Sequence, residues 1–295
     1  MWSKGRYSHM AEFVREAKEF GFTQVELNSI LTPEKLQELL DVGGLKVSSI
    51  HCPCPVSLSP RGIWAADLSL SSLDKEERRE AIWFAKETIK LAARLGVKAV
   101  VIHSGRVELD FSLEEKLHKL YNQGLTESKE YSETKQELIS ARNSRAGLYL
   151  EAAQESLKEL AEFAGEEGVV LGLENRVYFY EIPALREMQL LLAELPPELV
   201  GFWYDIGHAE VQSRLGFTPW QEWLSHFSKR VVGVHLHDVL GIRDHRAPGT
   251  GDVDWDFLAQ NLPRNIIKVC EIGEWNEREA CRRAVPFLKE KGIIS

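Results

Sequence analysis

Seven short β-rich runs recur along this chain, and a stretch with helical spacing follows each of them. Strand followed by helix, repeated, is the pattern of parallel βαβ units. The runs VKAVVIH, VVLGLEN and VVGVHLHD are apolar almost throughout, as expected for strands that are covered on both faces. The repeat therefore predicts an α/β fold of the TIM-type (β/α)-barrel class. The predicted strands are 22–27, 45–51, 98–103, 169–174, 199–205, 231–237 and 266–272.

Helix boundaries support the same fold. Asp74 is a candidate N-cap for a helix that Gly96 ends, and Thr32 and Pro33 open an earlier helix. With 295 residues, of which 44% are hydrophobic, the chain is long enough to bury the core of one barrel. We therefore predict a single domain over residues 1–295.

Two features depart from a regular barrel. Residues 112–145 are rich in Glu, Lys and Gln and are predicted to form a helical insertion after the third strand. An insertion there lies at the mouth of a barrel, where it serves as a lid, as a contact in a homo-oligomer or simply as a solvated hairpin. The first helix, 8–20, comes before any clear strand, so either the barrel has seven strands or a first strand precedes this sequence.

Composition predicts where in the cell the protein acts and which classes of partner it binds. The chain has no apolar run of transmembrane length and no secretory signal pattern, which predicts a cytoplasmic protein without a membrane partner. Four cysteines are too few for a disulfide scaffold, and the C-x-C at Cys52 and Cys54 is a weak metal signal. A formal charge of -9 disfavours broad binding to nucleic acid, without excluding a local basic groove.

Nearly every predicted strand ends in a side chain that binds metals or moves protons. In a barrel these strand ends form one rim around the active-site mouth. A lone strand-end histidine or glutamate is more often structural, but so many at one edge indicate a divalent-metal site. Imidazoles and carboxylates suit Zn²⁺ or Mn²⁺, and a carboxylate-rich subset also suits Mg²⁺ or Co²⁺. The residues are His51, His103, Glu174, Asp205, His208, His235, His237 and Glu271.

Other segments add candidate substrate contacts. The loop 244–252 is dense in Gly and Pro, which lets His245 reach the mouth. Arg243 and Arg246 beside it suit a phosphate or carboxylate of the substrate. Trp64, in the loop after the second strand, either covers the core or walls a substrate pocket. The loop's GxG lacks the context of a dinucleotide site, and no P-loop, GxSxG or HExxH occurs.

A combination of short motifs carries a family resemblance. The segments VELN, SIHCP, VVIHSG, GLEN, WYDIGH, HLHD, HRAPGTG and CEI, between Phe22 and Ile272, resemble the xylose isomerase-like TIM-barrel superfamily. That superfamily includes sugar phosphate isomerases and epimerases and the endonuclease IV-like apurinic endonucleases. For the epimerase branch, the resemblance implies one divalent metal and two glutamates that move the substrate proton. The implied ligands are Glu174, Asp205, His235 and Glu271, and the two glutamates are the catalytic pair.

The endonuclease branch is the second possibility that the resemblance opens. Its further histidines extend the site toward three zinc ions, and the matching positions here are His51, His103, His208 and His245. That branch has an aspartate two residues before the loop histidine. Here the position is Arg243 and Asp244 follows it, which counts against a third zinc.

The leading hypothesis is an isomerase or epimerase that acts on a small sugar or sugar-phosphate-like substrate in carbohydrate metabolism. Protons would move through an enediolate, with the metal as Lewis acid and template. Histidines of the rim, His237 among them, and the two loop arginines would orient the substrate. One alternative is a multi-zinc phosphodiesterase acting at abasic DNA sites. The other is a non-catalytic sugar-binding barrel, which the complete carboxylate set disfavours.

Overall fold

The computed structural model of the protein describes residues 3–295, and a single parallel sheet organises them. Seven of the strands pair in the order β1-β2-β3-β5-β7-β8-β11, every pair parallel, and helices flank them. The prediction of a (β/α) barrel with seven clear strands is confirmed. The described strands are β1 (Gln24–Leu27), β2 (Lys46–His51), β3 (Ala99–Ile102), β4 (Gly105–Arg106), β5 (Val170–Glu174), β6 (Glu181–Ile182), β7 (Val200–Asp205), β8 (Val231–Leu236), β9 (Asp238–Leu240), β10 (Arg243–Arg246) and β11 (Ile267–Cys270).

The helices begin where the sequence places capping residues. Asp74 accepts a hydrogen bond from the Glu76 N–H at 2.9 Å, and Thr32 accepts one from the Lys35 N–H at 3.3 Å. Within the described part of the chain, no helix has the length and apolar character needed to cross a membrane. The helices are α1 (Met10–Glu19), α2 (Pro33–Val42), α3 (Lys75–Leu95), α4 (Ser112–Asn122), α5 (Lys129–Asn143), α6 (Ala146–Glu166), α7 (Leu185–Glu194), α8 (Ile206–Arg214), α9 (Gln221–Phe227), α10 (Trp255–Asn261) and α11 (Arg278–Glu290).

The sheet does not close. Its two ends are β1 and β11, and no ladder joins them within residues 3–295. A cavity of about 680 Å³ lies at this seam and is lined by both strands and by α1. Glu26 of β1 and Glu271, directly after β11, both contribute to its lining.

Trp203 fills the interior of the barrel beneath the strand ends. It is fully buried and packs with Ala99 and Val101. A Cβ atom added at Gly172 or Gly233 would lie only 2.8 or 2.3 Å from the indole, so these two strands need glycine to admit it. The indole packs edge-on against His235 at 5.3 Å between ring centroids and supports it from below.

The insertion after β3 consists of α4 and α5, which pack against each other. Arg142 near the end of α5 makes two hydrogen bonds of 2.7 Å to Glu187 of α7, and its Nη2 donates to the Glu181 carbonyl at 2.9 Å. From α4, the buried Glu114 accepts backbone N–H groups from Phe179 and Tyr180. The insertion thereby holds the segment that follows β5, on the rim of the barrel.

Candidate metal centre at the strand ends

Four side chains from four strand ends meet in one group. Glu174 ends β5, Asp205 ends β7, His235 lies on β8, and Glu271 follows β11; one donor atom from each lies within 4.8 Å of the others. The Nδ1 atom of His235 is 2.6 Å from Glu174 Oε1, 3.0 Å from Glu271 Oε2 and 3.5 Å from Asp205 Oδ2. The structure thus brings together the four side chains that the resemblance assigns to the metal.

The other ring nitrogen of His235 has a fixed partner. Nε2 donates to Oε1 of Glu26 at 3.0 Å, and Oε2 of Glu26 accepts the Ser49 hydroxyl at 2.6 Å. A histidine that ligates a metal usually donates its second N–H to a carboxylate, which sets the tautomer and the ring orientation. Three carboxylates and one such oriented imidazole therefore fit a divalent cation by their chemistry.

Electrostatics in this group favour a bound cation. Burial alone would raise the pKa of the carboxyl groups, but the charges of Arg176 and His235 hold the pKa of Glu174 well below its ordinary range. His235 is also the main charge that lowers the pKa of Glu271 to about 2, and neighbouring histidines likewise depress the pKa of Asp205. Burial would lower the pKa of His235, yet the surrounding carboxylates raise it well above normal. Three ionised carboxylates thus face one another around His235, with Arg176 on the outer oxygen of Glu174.

Hydrogen bonds fix the positions of these ligands. Asn175 joins the ends of β5 and β7, because Nδ2 donates to the Asp205 carbonyl and Oδ1 accepts the Asp205 N–H, both at 2.8 Å. Asp205 also caps α8 by accepting the His208 N–H at 2.7 Å. His237 donates from Nε2 to Asp205 Oδ1 at 2.9 Å and accepts the His245 N–H on Nδ1 at 2.8 Å. His237 is fully buried, and it positions Asp205 through Nε2 while the His245 backbone N–H holds its Nδ1.

A second group shares Glu174. His51 of β2 and His103, directly after β3, place their Nε2 atoms 3.1 Å apart, and His103 Nε2 lies 2.7 Å from Glu174 Oε2. Burial, followed by the charge of Arg176, lowers the pKa of His103 to about 4. His103 is therefore neutral near pH 7, with a lone pair to offer. His51, His103 and Glu174 form a candidate metal-ligand set of their own.

A third group lies across the mouth. Asp244 Oδ2 is 3.8 Å from His208 Nε2 and 3.6 Å from His245 Nε2. His245 adopts a left-handed backbone conformation with φ of +50°, which is uncommon for a residue other than glycine. Although Arg243 takes the position where the endonuclease pattern has aspartate, Asp244 brings a carboxylate to the two histidines, and the three form a candidate metal-ligand set.

Two of the predicted substrate contacts, Arg243 and Arg246, lie on β10 beside the third group. The Arg243 guanidinium stacks on the Trp275 ring at 3.7 Å, and Arg246 lies 5.7 Å from the same ring while donating to the Thr250 carbonyl. Trp64 is about half exposed and lines a separate cavity of about 170 Å³ beside β2. Substrate binding by these residues stays a prediction.

Two residues of the site are not indicated by the sequence. Glu26 stands in the VELN motif, but only the structure shows that its carboxylate meets His235, 209 positions away. Arg176 follows Glu174 by two positions and hydrogen-bonds to it. An acidic residue within a buried strand and a basic residue beside a ligand were the available signals.

The chain matches a known family model and is similar to several known proteins. The family model described as Xylose isomerase-like TIM barrel matches residues 14–291. The uncharacterized protein MJ1614 of Methanocaldococcus jannaschii is 22% identical over 230 residues, which cover 76% of this chain and 69% of that protein. The solved structure of 3-keto-D-glucoside 4-epimerase, YcjR, from E. coli has a TM-score of 0.67 at 18% identity and covers 96% of this chain and 95% of that one. The IOLI protein with a binding zinc atom has a TM-score of 0.64 at 16% identity, with 98% and 95% covered. At these identities the likeness establishes the fold.

Proposed function

The chain belongs to the xylose isomerase-like TIM-barrel family, and from this premise we propose that it is a divalent-metal-dependent isomerase or epimerase of a small sugar or sugar-phosphate-like substrate. The observation that carries the proposal is the environment of His235. Its Nδ1 faces three carboxylates from three other strand ends, and its Nε2 is held by Glu26. The zinc ion in the IOLI structure and the sugar epimerases among the similar folds agree with this choice.

The position of each residue in the centre suggests its role in metal binding or proton transfer. Glu174, Asp205, His235 and Glu271 would hold the ion, Zn²⁺ or Mn²⁺ before Mg²⁺ or Co²⁺. When bound, the ion supplies Lewis-acid polarisation of adjacent substrate oxygens. Glu174 and Glu271 would remove and return the carbon-bound proton. Glu271 is the carboxylate of the group with access to solvent, its side chain being 14% exposed against 0% for Glu174, so it is the better placed of the two to meet an entering substrate.

The surrounding residues would bind and orient the substrate. Arg243 and Arg246 present two cationic groups beside the exposed face of Trp275, which suits a phosphate or carboxylate on a polar substrate. His208 would orient hydroxyl groups at the mouth. His237 would keep Asp205 in place through the bond between Nε2 and Oδ1.

The test is a screen of ketoses, inositols and their phosphates with each of the four ions, scored as exchange of the substrate C–H proton with solvent deuterium. Glu271→Gln should reduce exchange by at least about 100-fold, because it removes a positioned base. Glu274→Gln, which changes a half-exposed carboxylate three residues away, is the matched control and should leave exchange unchanged. Undiminished exchange in Glu271→Gln would contradict the assignment, and absence of any turnover would favour a binding barrel.

One specific observation supports a second candidate, a multi-zinc phosphodiesterase acting at abasic DNA. The histidine groups around His103 and His245 each satisfy the geometry of a metal-ligand set and flank the central group. An oligonucleotide with an abasic site belongs in the same screen. Strand cleavage by protein holding two or three zinc ions, without sugar exchange, would replace the isomerase proposal by this one.

A further inference from the structure

Glu174 takes part in two groups through its two carboxylate oxygens. Oε1 lies 2.6 Å from His235 Nδ1 in the central group. Oε2 lies 2.7 Å from His103 Nε2 and 3.7 Å from His51 Nε2. If both groups held metals, Glu174 would bridge them, so whatever occupies the second group controls the charge and position of a ligand of the first.

The guanidinium of Arg176 already lies in the second group. Its Nη1 is 2.6 Å from His103 Nε2 and donates to Glu174 Oε2. Two of the three donor atoms of the group are therefore paired with one cationic side chain. The third, His51 Nε2, lies 3.1 Å from His103 Nε2.

Other residues hold Arg176 in this place. Its Nε donates to Glu181 Oε1 at 3.0 Å, and its side chain is only 12% exposed. Glu181 is itself fixed, because Oε2 accepts the Tyr178 N–H at 3.0 Å and its carbonyl accepts Arg142 Nη2 at 2.9 Å. The anchor runs from the insertion helix α5 through β6 to the guanidinium, so Arg176 is positioned rather than free.

We propose that Arg176 is a built-in cation that takes the place of a metal in the group of His51, His103 and Glu174. It neutralises Glu174 Oε2 and occupies the lone pair of His103, and its fixed charge repels a second divalent ion. Among the described residues, Asp244 of the third group has ion pairs only with histidines, so this device is particular to the second group. The inference rests on the proposed function and deepens it, since it confines the shared ligand Glu174 to one metal.

The test is a Co²⁺ titration of the full chain, followed by calorimetry and by visible absorption of the bound ion. Arg176→Met should bind one more Co²⁺ per chain than the unaltered protein, with an affinity at the second group raised by about 10- to 100-fold. Adding His103→Ala to that variant should remove the extra ion. Arg106→Met, in the two-stranded ribbon that carries Glu181 but bonded to the Asp67 carbonyl, is the control and should match the unaltered protein. Equal Co²⁺ counts in Arg176→Met and the unaltered protein would overturn the inference, as would an extra ion that survives His103→Ala.

A second variant keeps the inference testable if Arg176→Met does not fold. Glu181→Gln retains the guanidinium but weakens its anchor, so it should also admit an extra Co²⁺, more weakly than Arg176→Met; no gain counts against the inference. The titration needs no substrate, which separates the two claims. If Arg176→Met gains an ion but the unaltered protein acts on no sugar, only the proposed function is contradicted. Sugar turnover by an unaltered protein that already holds a His103-dependent ion contradicts only the role of Arg176.

Discussion

The buried pair of Arg142 and Glu187 stabilises the insertion. Removing either side chain should lower the free energy of unfolding. The two side chains are 2% and 11% exposed and share two hydrogen bonds of 2.7 Å. Arg142→Met leaves the Glu187 carboxylate buried without its partner, which should cost about 3–5 kcal/mol of unfolding free energy. Glu187→Gln leaves an uncompensated guanidinium and should cost a similar amount. The double variant buries no charge, so it should cost about as much as one single change.

Urea unfolding of the four proteins measures this directly, and the coupling between the two changes should equal about one single loss, about 3–5 kcal/mol. A matched control is the exposed pair of Lys158 and Glu194, which links α6 to the end of α7 at 2.7 Å with side chains 54% and 45% exposed. Its double-variant cycle should give less than about 1 kcal/mol. If the losses at Arg142 and Glu187 simply add, the two side chains do not act as a buried pair and the reasoning fails.

Two further predictions concern the rim. Burial raises the pKa of Glu114 to about 7, against an ordinary 4.5, although two backbone N–H groups donate to it. The folded state thus holds this proton more tightly than the unfolded chain, so its contribution of at most about 3 kcal/mol is present below pH 4.5 and is lost as the pH rises through 7. Glu114→Gln should flatten the loss of stability between about pH 5 and pH 8 in unfolding experiments, and an unchanged slope would refute the assignment. A Cβ atom at Gly207 would lie 2.0 Å from Cε1 of His237, so Gly207→Ala should displace that ring from Asp205 and weaken metal binding by about 10- to 100-fold in calorimetry. Gly147→Ala, where the added atom meets nothing within 4 Å, should bind metal normally; equal affinity in both variants would show that His237 does not support the site.

The barrel could be predicted from sequence because its signal is local and repeated. Apolar runs such as 98–103 and 231–237 predict buried parallel strands. Because the carboxyl ends of the strands of a barrel lie at one rim, the last residues of these strands are predicted to lie close together. The short antiparallel ribbon of β4 and β6 could not be predicted in this way. Its two-residue strands are 75 positions apart and depend on a loop conformation that no periodicity records.

The site was predictable to the extent that it follows from strand ends. Glu174 is the last residue of a clear strand and His235 the last but one of another, whereas the part played by Arg176 depends on where Glu181 holds its guanidinium. Asp244 shows the opposite limitation. Its spacing from the loop histidine disfavours it as a ligand, but in the structure its carboxylate lies 3.6 Å from His245 Nε2 and 3.8 Å from His208 Nε2. Side-chain direction in an irregular strand is a three-dimensional property that spacing does not encode.

The seam between β1 and β11 divides the metal centre into a firmer and a looser half. Glu174 and His235 come from strands with a ladder on both sides, whereas Glu26 lies on one sheet edge and Glu271 follows the other. Edge strands open locally at a lower free energy than the interior of a sheet. Local opening of either edge strand would remove one carboxylate from the centre while the rest of the barrel stays folded. The lifetime of a bound ion should therefore depend on the stability of β1 and β11 rather than on unfolding of the whole barrel.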